Sequence, residues 1–536
     1  MTTTPTAHRP SPTAGRYDAI VIGAGSNGLV AAAALGKAGR QVLVVESAEE
    51  LGGQRRVSDF APGFRAPLSA DTGWLPPTVA RGLGLSTIAA TPANVVASVV
   101  GDGTKGGLTL SSDATHAANA IRGLSSRDAK RWPSFVELLG KLSGFLEALY
   151  QLPPPDVDTA LSLGELAPLV GLGRKFRALG RADMLELLRV LPMSLQDLLD
   201  DWFESPLLKA AVAAGGVRGI RQGPRSGGTS FVLLHHLVGA QNGARGWWRE
   251  RPDAFVGAAA AVARANRVDF KTGATVARIL VRDDAVIGVA LANGDEHTAP
   301  VVVSTADPVR TLLGMVDPVW LDPEFMHAVG KIKLRGSTAL VRFALDRLPD
   351  VRDLDDSNAA LTGPVSLTPS LDALERAYDA AKYGHVSAEP HIEITVPTLR
   401  WPSLATPGKH VLIARAQYAP YRLRDGASWD DTRSCELGEV VTRAIGRIMP
   451  GFTDSITHRE ILTPRDLETN YGVTEGALTH GEMTLDQILF MRPVAGFGRY
   501  SMPVDGLYLA GSGAHPGPGV LGGAGWLAAK QILRKR

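Results

Sequence analysis

One stretch near the start of the chain combines an apolar strand, a glycine-rich turn, a helix and a second strand. Asp18–Ile22 and Gln41–Val45 are short, mostly apolar and rich in β-branched residues, which is typical of buried strands. Between them, Gly23, Gly25 and Gly28 have the spacing Gly-x-Gly-x-x-Gly and precede an alanine-rich run that favours a helix. This order predicts a βαβ unit with parallel strands, and it constrains the fold more than any other feature.

The glycines and the acid that follows them have separate predicted roles. Gly23 makes the turn, Gly25 lets a pyrophosphate approach the backbone, and Gly28 brings the helix against the strand. Glu46, at the end of the second strand, is expected to accept hydrogen bonds from ribose hydroxyls and to disfavour a 2′-phosphate. The pattern therefore predicts a dinucleotide site at the helix N-terminus. The remaining predicted members of this site are Ala24, Ser26, Asn27 and Ser47.

The same glycine spacing occurs twice more, in different surroundings. At Gly101–Gly106, β-rich runs flank an Asp-Gly pair and no helix follows, which predicts a hairpin and not a second nucleotide turn. At Gly517–Gly522 the glycines lead into an alanine-rich helix. Context, and not spacing, therefore distinguishes the three matches.

Composition narrows the functional classes. A chain of 536 residues with 45% apolar and 21% charged residues is expected to be globular, with two or more domains. A net charge of +2 gives no reason to expect nucleic acid as a partner. The single cysteine, Cys435, excludes an internal disulfide and is expected on a surface helix. Residues 1–16 predict a disordered tail without a signal-peptide core, and no run of 18 apolar residues occurs, so a cytoplasmic protein is expected.

A second glycine pair bears on which dinucleotide binds. Gly52 and Gly53 follow the second strand within a few residues, and Gln54 and Arg55 come next. A second backbone segment that reaches the same pyrophosphate, with an arginine beside it, suits an extended FAD better than a nicotinamide cofactor. The sequence therefore predicts FAD.

Together these motifs resemble the FAD-binding start of the monoamine oxidase/phytoene desaturase superfamily. The C-terminal stretch "DGLYLAGSGAHPGPGVLGGAGWLAAKQIL" resembles the strand, loop and helix that return to the Rossmann sheet in that superfamily. The resemblance implies that one set of residues lies along the ribitol and isoalloxazine, namely Gly511, Ser512, Gly519, Val520 and Leu521. It also implies that the backbone of Val276 contacts the adenine and that Ser304 to Ala306 form the strand-end turn near the cofactor.

Further blocks resemble a narrower group. "PGFTDSITHREILTPRDLE", "THGEMTLDQILFMRP" and "GLYLAGSGAHPGPGV" are similar to the CrtO-type carotenoid ketolases. They are equally similar to the mitochondrial pyridine-nucleotide-disulfide-oxidoreductase-domain-like proteins. The resemblance implies an FAD-dependent dehydrogenase, oxidase or ketolase that removes a hydride from a hydrophobic, isoprenoid- or carotenoid-like substrate. Oxygen or a quinone is the expected electron acceptor, and the oligomeric state stays open.

The expected architecture is α/β, with a Rossmann-type FAD-binding domain assembled from segments 17–110, 220–310 and 475–536. Segments 111–219 and 311–474 are expected to form a mixed α+β substrate domain with a helical cap. One apolar helical face is predicted in the cap, at Phe135, Leu138, Leu139, Leu142, Phe145, Leu146 and Leu149. This face either packs on a core of the cap itself or forms a tunnel mouth that makes a peripheral membrane contact.

Few side chains are candidates for catalysis, because the flavin itself supplies the difficult chemistry. His480 is the first candidate for a polar group near the flavin, with a structural hydrogen-bonded histidine as the alternative. Tyr418 and Gln417 are expected to line the roof of the substrate pocket. For His515 a backbone hydrogen bond is favoured over contact with the ring. The pair His235-His236 lacks further ligands nearby and predicts a structural role and no metal site.

One departure from the superfamily concerns Leu340. In the amine oxidases a lysine at the matching position holds a water near the flavin. A leucine can neither bind that water nor supply a positive charge, which argues against amine oxidation with fast reoxidation by oxygen. Two alternatives stay open beside the leading function: a flavin oxidoreductase for a smaller metabolite or amine, and a flavin-binding regulatory protein without catalysis.

Overall fold

The computed structural model describes residues 17–71, 73–85, 90–91, 93–101, 106–155, 163–245, 247–248 and 251–534. The predicted tail at 1–16 lies outside these residues. The described chain forms a mixed α/β fold with a parallel sheet, a second larger sheet and a helical cap. The predicted fold class is confirmed.

The parallel sheet assembles strands that are far apart in sequence. Its strands, in spatial order, are Asp269–Lys271, Val42–Val45, Ala19–Ile22, Val302–Ser304 and Leu507–Leu509. All four pairings are parallel, and Val21 at the centre lies opposite Val44 on one side and Val303 on the other. Since the carboxyl ends of parallel strands meet at one edge, the loops that follow these strands converge there.

Both faces of this sheet are covered. Helices Ser26–Lys37, Ala254–Ala265 and Gly523–Arg534 pack together on one face, where a run of buried alanines lets them approach closely. The other face packs against a three-stranded antiparallel sheet and its neighbours. That small sheet consists of Val276–Arg282, Ala285–Leu291 and Glu296–Thr298.

The second sheet is larger and has seven strands. Its strands, in spatial order, are Ile456–Leu462, Thr338–Leu345, His410–Gln417, His391–Thr395, Val365–Ser366, Val95–Val99 and Leu108–Ser111. Val95–Val99 and most of Leu108–Ser111 fall in segment 17–110, which was expected to belong to the FAD-binding domain. They pair in this sheet and not in the parallel sheet. They pair antiparallel, as expected for a hairpin around Gly101, although residues 102–105 lie outside the described part.

The cap is built on the long helix Ser126–Leu149. The Ser125 hydroxyl caps it by accepting a hydrogen bond from the Asp128 amide at 3.1 Å. The predicted apolar face is buried or partly buried in one cluster with the neighbouring helices, which accords with a cap that packs on its own core. Cys435 is exposed on helix Asp431–Ile448, as predicted.

The remaining α-helices are Pro77–Leu83, Ala114–Arg122, Leu163–Ala178, Gly180–Val190, Leu195–Trp202, Pro206–Gly216, Thr229–Leu237, Pro308–Leu312, Pro323–Gly330, Ser357–Leu361, Leu371–Lys382, Phe452–Ser455 and Pro464–Tyr471. The short 3₁₀ helices are Gly53–Arg55, Pro318–Trp320, Pro397–Leu399, Pro402–Leu404, Arg424–Gly426, Thr474–Gly476, Leu485–Gln487 and Leu489–Met491. Two-stranded pairs are Val57–Ala61 with Phe64–Pro67, Ala90–Thr91 with Trp247–Trp248, and Ala240–Gln241 with Ala244–Arg245. Among the described helices, none has both the length and the apolar character needed to cross a membrane.

Candidate active site

The first glycine turn has the geometry that its sequence predicts. Gly23 has φ +94°, and a Cβ added there would lie 2.5 Å from the Thr305 hydroxyl oxygen. A Cβ at Gly28 would lie 1.9 Å from the carbonyl oxygen of Gly23, so only glycine allows this helix–turn contact. A Cβ at Gly25 would meet no atom within 4 Å. The turn is therefore closed on the protein side and open beside Gly25.

The N-terminus of the helix that follows is suited to bind an anion. Gly25 is the N-cap of helix Ser26–Lys37, no side chain caps the helix, and its first turn carries no acid. Its first amide groups therefore lack side-chain partners and end at the groove lined by Gly25 and Ser26. This arrangement suits a pyrophosphate.

Glu46 lies at the end of the neighbouring strand and lines the same groove. One of its carboxylate oxygens accepts a hydrogen bond from the Ala24 amide at 2.6 Å. The other accepts from the Ala48 amide at 3.0 Å and the Ser47 hydroxyl at 3.2 Å. The side chain is 8% exposed, so these bonds hold it rigidly while each oxygen keeps acceptor capacity for a ligand.

The second glycine pair contacts the first turn directly. The Gly52 amide donates to the Ala24 carbonyl at 2.9 Å, and a Cβ on Gly53 would lie 3.3 Å from the Gly25 Cα. Arg55 follows and donates to the carbonyl of Asp71, which orients its guanidinium. The two glycine segments thus form one continuous wall.

The C-terminal loop closes the same groove. The Gly519 carbonyl accepts from the Trp74 amide at 2.8 Å, and the Leu521 amide donates to the Trp74 carbonyl at 2.8 Å. Arg492 donates to the Ser512 carbonyl from two nitrogens, at 3.0 and 2.6 Å. The groove has an empty volume of about 1200 Å³. Three distant parts of the chain, represented by Gly25, Gly53 and Ser512, therefore line a single space.

Most of the predicted cofactor residues line this groove. Those that do are Gly23, Gly25, Ser26, Asn27, Glu46, Ser47, Gly52, Gly53, Gln54, Arg55, Val276, Ala306, Ser512, Gly519, Val520 and Leu521. Those that stand behind its surface are Ala24, Gly28, Ser304 and Gly511. Of these, Ser304 is buried and bonds Thr311 at 2.7 Å, and a Cβ on Gly511 would lie 2.4 Å from the Thr305 carbonyl oxygen. These four act through packing and backbone position.

Sequence reasoning missed other groove residues, namely Thr305, Arg310, Met315, Ala274, Thr275, Tyr471, Gly472, Val473, Leu478 and Pro518. Thr305 lies between the predicted residues Ser304 and Ala306, so its position in the groove could have been inferred from them. The segment at 471–473 comes from the predicted substrate region and carries no nucleotide motif, so no local signal marks it.

His480 also lines the groove. Its Nε2 lies 3.4 Å from the side-chain nitrogen of Gln54, which also donates to the Leu478 carbonyl at 3.0 Å. Because the Gln54 nitrogen is a donor, Nε2 of His480 accepts and the ring proton is assigned to Nδ1. Nδ1 is buried and has no hydrogen-bond partner among the described residues. It is therefore a donor without a partner in the described part of the chain.

The charge state of His480 follows from its surroundings. Burial lowers its pKa, the Asp307 carboxylate raises it in part, and the nearby Arg492 lowers it. The net shift is downward, so the imidazole is neutral at pH 7.

Gln417 and Tyr418 lie elsewhere. The Gln417 amide accepts from the Gly219 amide at 3.1 Å and donates to the carbonyls of Val217 and Ile220. The Tyr418 hydroxyl donates to the Gln222 carbonyl at 2.8 Å. Neither residue lines the groove or the cavity described below, so the structure does not bring them to His480. Both hold the loop at 217–222, and a catalytic role for them stays a prediction.

The other histidines bond to the protein, in the manner expected from the sequence. His515 donates to the Leu152 carbonyl at 3.1 Å, and burial lowers its pKa to about 4. His235 donates to the Pro518 carbonyl at 2.9 Å and accepts from the Tyr150 hydroxyl at 2.8 Å. His236 bonds the Arg218 carbonyl at 3.1 Å. Within the described ranges, no cluster of three metal-ligating side chains occurs.

A second cavity, with an empty volume of about 1690 Å³, lies between the cap and the seven-stranded sheet. Apolar side chains from both sides line it, including Trp132, Phe135 and Leu139 of the long cap helix and Leu340 of the sheet. Five charged residues also line it, namely Asp71, Arg218, Glu393, Arg400 and Arg415. The size and apolar walls suit an organic substrate.

The two spaces share a wall. Asp71 lines the cavity, and its carbonyl accepts a hydrogen bond from Arg55, which lines the groove. The cavity and the groove are therefore adjacent at the segment around Asp71.

Comparison with known proteins agrees with this geometry. Residues 21–80 match the family described as an NAD(P)-binding Rossmann-like domain. The chain is 34% identical to pyridine nucleotide-disulfide oxidoreductase domain-containing protein 2 of Rattus norvegicus, over 97% of this chain and 93% of the relative. The chain belongs to this family. The predicted membership in the superfamily that joins phytoene desaturases and amine oxidases, with FAD as cofactor and oxidoreductase activity, is confirmed.

Two further similarities are more distant. One of the polypeptides of limonene dehydrogenase from Castellaniella defragrans is 25% identical over 96% of this chain and 94% of the relative. The crystal structure of an oxidoreductase from Methanosarcina mazei shares the fold, with a TM-score of 0.59 and 17% identity over 97% of this chain and 100% of that one.

Proposed function

We propose that this FAD-dependent oxidoreductase removes a hydride from a hydrophobic, isoprenoid-like substrate held in the cavity below the cap. The observation that carries the proposal is a cavity with largely apolar walls that adjoins the cofactor groove. Limonene dehydrogenase, to which the chain is similar, is named for a terpenoid substrate. That similarity supports a terpenoid substrate for this chain.

The groove residues fit FAD. The open side of Gly25 and the first turn of the following helix suit the pyrophosphate, and Glu46 suits the ribose. Ser512 and Gly519 line the same groove, and the resemblance to the superfamily implies that they would contact the flavin end. A bound flavin would supply the hydride acceptor, with oxygen or a quinone as the proposed final electron acceptor.

The chain's own contribution is to bind, orient and exclude water. The cap lines one side of the cavity with apolar side chains, which would exclude water from the part of a substrate that contacts them. In the groove, the Nδ1–H group of His480 is a neutral donor that lacks a protein partner among the described residues, and we assign it to the cofactor or the substrate. Gln417 bonds backbone groups on both sides of Arg218 and thereby positions that cavity residue.

Two measurements test the proposal. Protein purified without FAD should acquire visible flavin absorbance when FAD is added, and a polyene or terpene panel should bleach it under anaerobic conditions. An amine panel should leave the flavin oxidised. Bleaching by amines alone would instead favour the smaller-metabolite alternative, and bleaching by neither panel, with FAD bound, would favour a flavin-binding protein without catalysis.

The amine alternative is disfavoured by two features of the cavity. Leu340 stands where the amine oxidases carry a lysine, and three arginines against two carboxyl groups line the cavity. An excess of positive charge repels a protonated amine.

Contact with a membrane surface is a separate proposal. Val170, Leu185 and Leu188 of the cap helices are at least half exposed, which suits a shallow contact with lipid. Co-sedimentation with liposomes tests it, with Leu185→Ser/Leu188→Ser as the variant. Equal sedimentation of wild type and variant, or none of the wild type, would contradict it.

A further inference from the structure

The charged residues of the cavity occupy one part of its wall. Leu340 lies opposite Arg415 in the pairing of their strands, and Arg415 lies opposite Glu393 on the next strand. Residues paired in this way present their side chains on the same face of a sheet. Arg218 joins them from the segment after helix Pro206–Gly216, because its guanidinium bonds Glu393 at 2.6 Å.

The hydrogen bonding of this cluster is incomplete. Arg415 has one hydrogen-bond partner among the described residues, the Ser69 hydroxyl at 3.3 Å, although a guanidinium has five N–H groups. The Nε atom of Arg218 is buried and has no partner in the described part of the chain. Native proteins rarely leave buried donors of this kind unpaired, so a ligand is the natural partner.

The charges are also unbalanced. Three guanidinium groups, from Arg218, Arg400 and Arg415, face the carboxyl groups of Asp71 and Glu393. Burial raises the pKa of Glu393, but the charges of Arg218 and Arg415 outweigh it and hold that pKa below its usual value. Burial lowers the pKa of Arg400 to about 10, which leaves it charged at pH 7.

The neighbouring His391 adds no charge to this part of the wall. His391 lies behind Glu393 on the same strand and bonds the Thr368 hydroxyl at 2.8 Å. Burial lowers its pKa to about 4, so it is neutral at pH 7. Among the described residues that line the cavity, arginines therefore outnumber carboxyl groups by three to two.

We propose that the cavity binds an amphipathic carboxylic acid, with its carboxylate at Arg218 and Arg415 and its apolar chain along the long cap helix. Planar guanidinium groups pair with a carboxylate through two parallel hydrogen bonds, which a hydrocarbon or an alcohol cannot accept. Trp132, Phe135 and Leu139 supply the apolar surface for the chain. This inference rests on the proposed function and narrows its substrate class from a hydrophobic molecule to a hydrophobic acid.

Calorimetric titration of the FAD-loaded protein with dodecanoate and with 1-dodecanol, below their aggregation limits, tests the inference. We expect dodecanoate to bind at least about 10-fold more tightly than dodecanol, since charge-assisted hydrogen bonds contribute roughly 1.5–3 kcal/mol. Arg415→Gln should remove this preference and leave dodecanol binding within about twofold of the wild type. The control Arg278→Gln, on an exposed strand position, should change neither.

The outcomes separate the two proposals. Equal affinity of the wild type for acid and alcohol, with FAD bound, overturns this inference and leaves the proposed function intact. Failure to bind FAD overturns the proposed function, which the flavin absorbance reports independently. If Arg415→Gln does not fold, Arg415→Lys is the second variant: it keeps the charge but loses the paired donors, and the acid preference should fall without vanishing. An unchanged preference in either folded variant would also overturn the inference.

Discussion

Gly25 offers a substitution that separates cofactor binding from folding. Its backbone has φ −72° and ψ −178°, which alanine adopts readily, and an added Cβ meets no atom within 4 Å. Gly25→Ala should therefore leave the apo fold intact. It should even stabilise the fold by about 0.4–1 kcal/mol, because alanine reduces the entropy of the unfolded chain.

The same methyl group should impair FAD binding. It would project into the groove at the start of helix Ser26–Lys37, where the pyrophosphate has to approach the backbone amides. Loss of one charge-assisted hydrogen bond costs roughly 1.5–3 kcal/mol, so the dissociation constant of FAD should rise about 10- to 100-fold.

Gly28→Ala is the matched control, with the opposite expected result. Its Cβ would lie 1.9 Å from the carbonyl oxygen of Gly23, a backbone atom that cannot move without displacing the turn. Overpacking of this kind costs about 1–3 kcal/mol or more, so the apo protein should melt at a lower temperature.

Thermal melting of the apo proteins, followed by titration of FAD fluorescence, measures both effects. The reasoning about the groove is refuted if Gly25→Ala binds FAD as tightly as the wild type. The reasoning about helix–turn contact is refuted if apo Gly28→Ala melts with the wild type.

Three further predictions follow from buried polar groups. His480→Phe keeps a buried ring but removes the groove donor, so it should retain FAD yet slow substrate reduction of the flavin by about tenfold or more, and an unchanged rate in stopped flow would contradict this. His515 has a pKa lowered to about 4, so the unfolded state binds more protons and stability falls with decreasing pH between about 6.5 and 4, by up to about 1.4 kcal/mol per unit. His391 has the same lowered pKa, so His515→Gln should reduce the fall in melting temperature over that range without abolishing it, and an unchanged slope would contradict this. Glu393→Gln should lower the free energy of unfolding by about 3 kcal/mol, because Arg218 loses the carboxylate that it bonds. The exposed Glu389→Gln should leave the free energy of unfolding unchanged, and equal melting temperatures of the two variants would count against this.

The cofactor groove was largely predictable because its shape depends on local backbone conformations and close contacts that require glycine. Gly23 and Gly28 are needed for a positive φ and a close contact, and these needs mark the turn in any sequence of this type. The contact between Gly25 and Gly53 follows from the parallel pairing of neighbouring strands. The position of Thr305 could have been inferred as well, because it lies between the predicted turn residues Ser304 and Ala306.

The substrate cavity was not predictable in the same way. Arg218, Glu393 and Arg415 lie in three separate segments, and only the strand order of the seven-stranded sheet places two of them side by side. Register between distant strands depends on packing across the whole sheet, which no short motif encodes. Tyr418 and Gln417 were expected at the pocket roof for their polarity, yet that polarity serves the loop at 217–222.

The segment between the two spaces links them physically. Gly73 has φ +72°, and a Cβ there would lie 2.8 Å from an Arg55 nitrogen and 2.9 Å from the Gly519 carbonyl oxygen, so the backbone passes tightly between two groove residues. The preceding residue that the structure describes, Asp71, faces the cavity and bonds Arg55 through its carbonyl. Because this segment contacts both spaces, a ligand that shifts it from one side would change the affinity on the other side, and by linkage the effect would be reciprocal. We therefore expect bound FAD to change the affinity for dodecanoate, and equal dissociation constants for the apo and FAD-loaded protein would contradict this coupling.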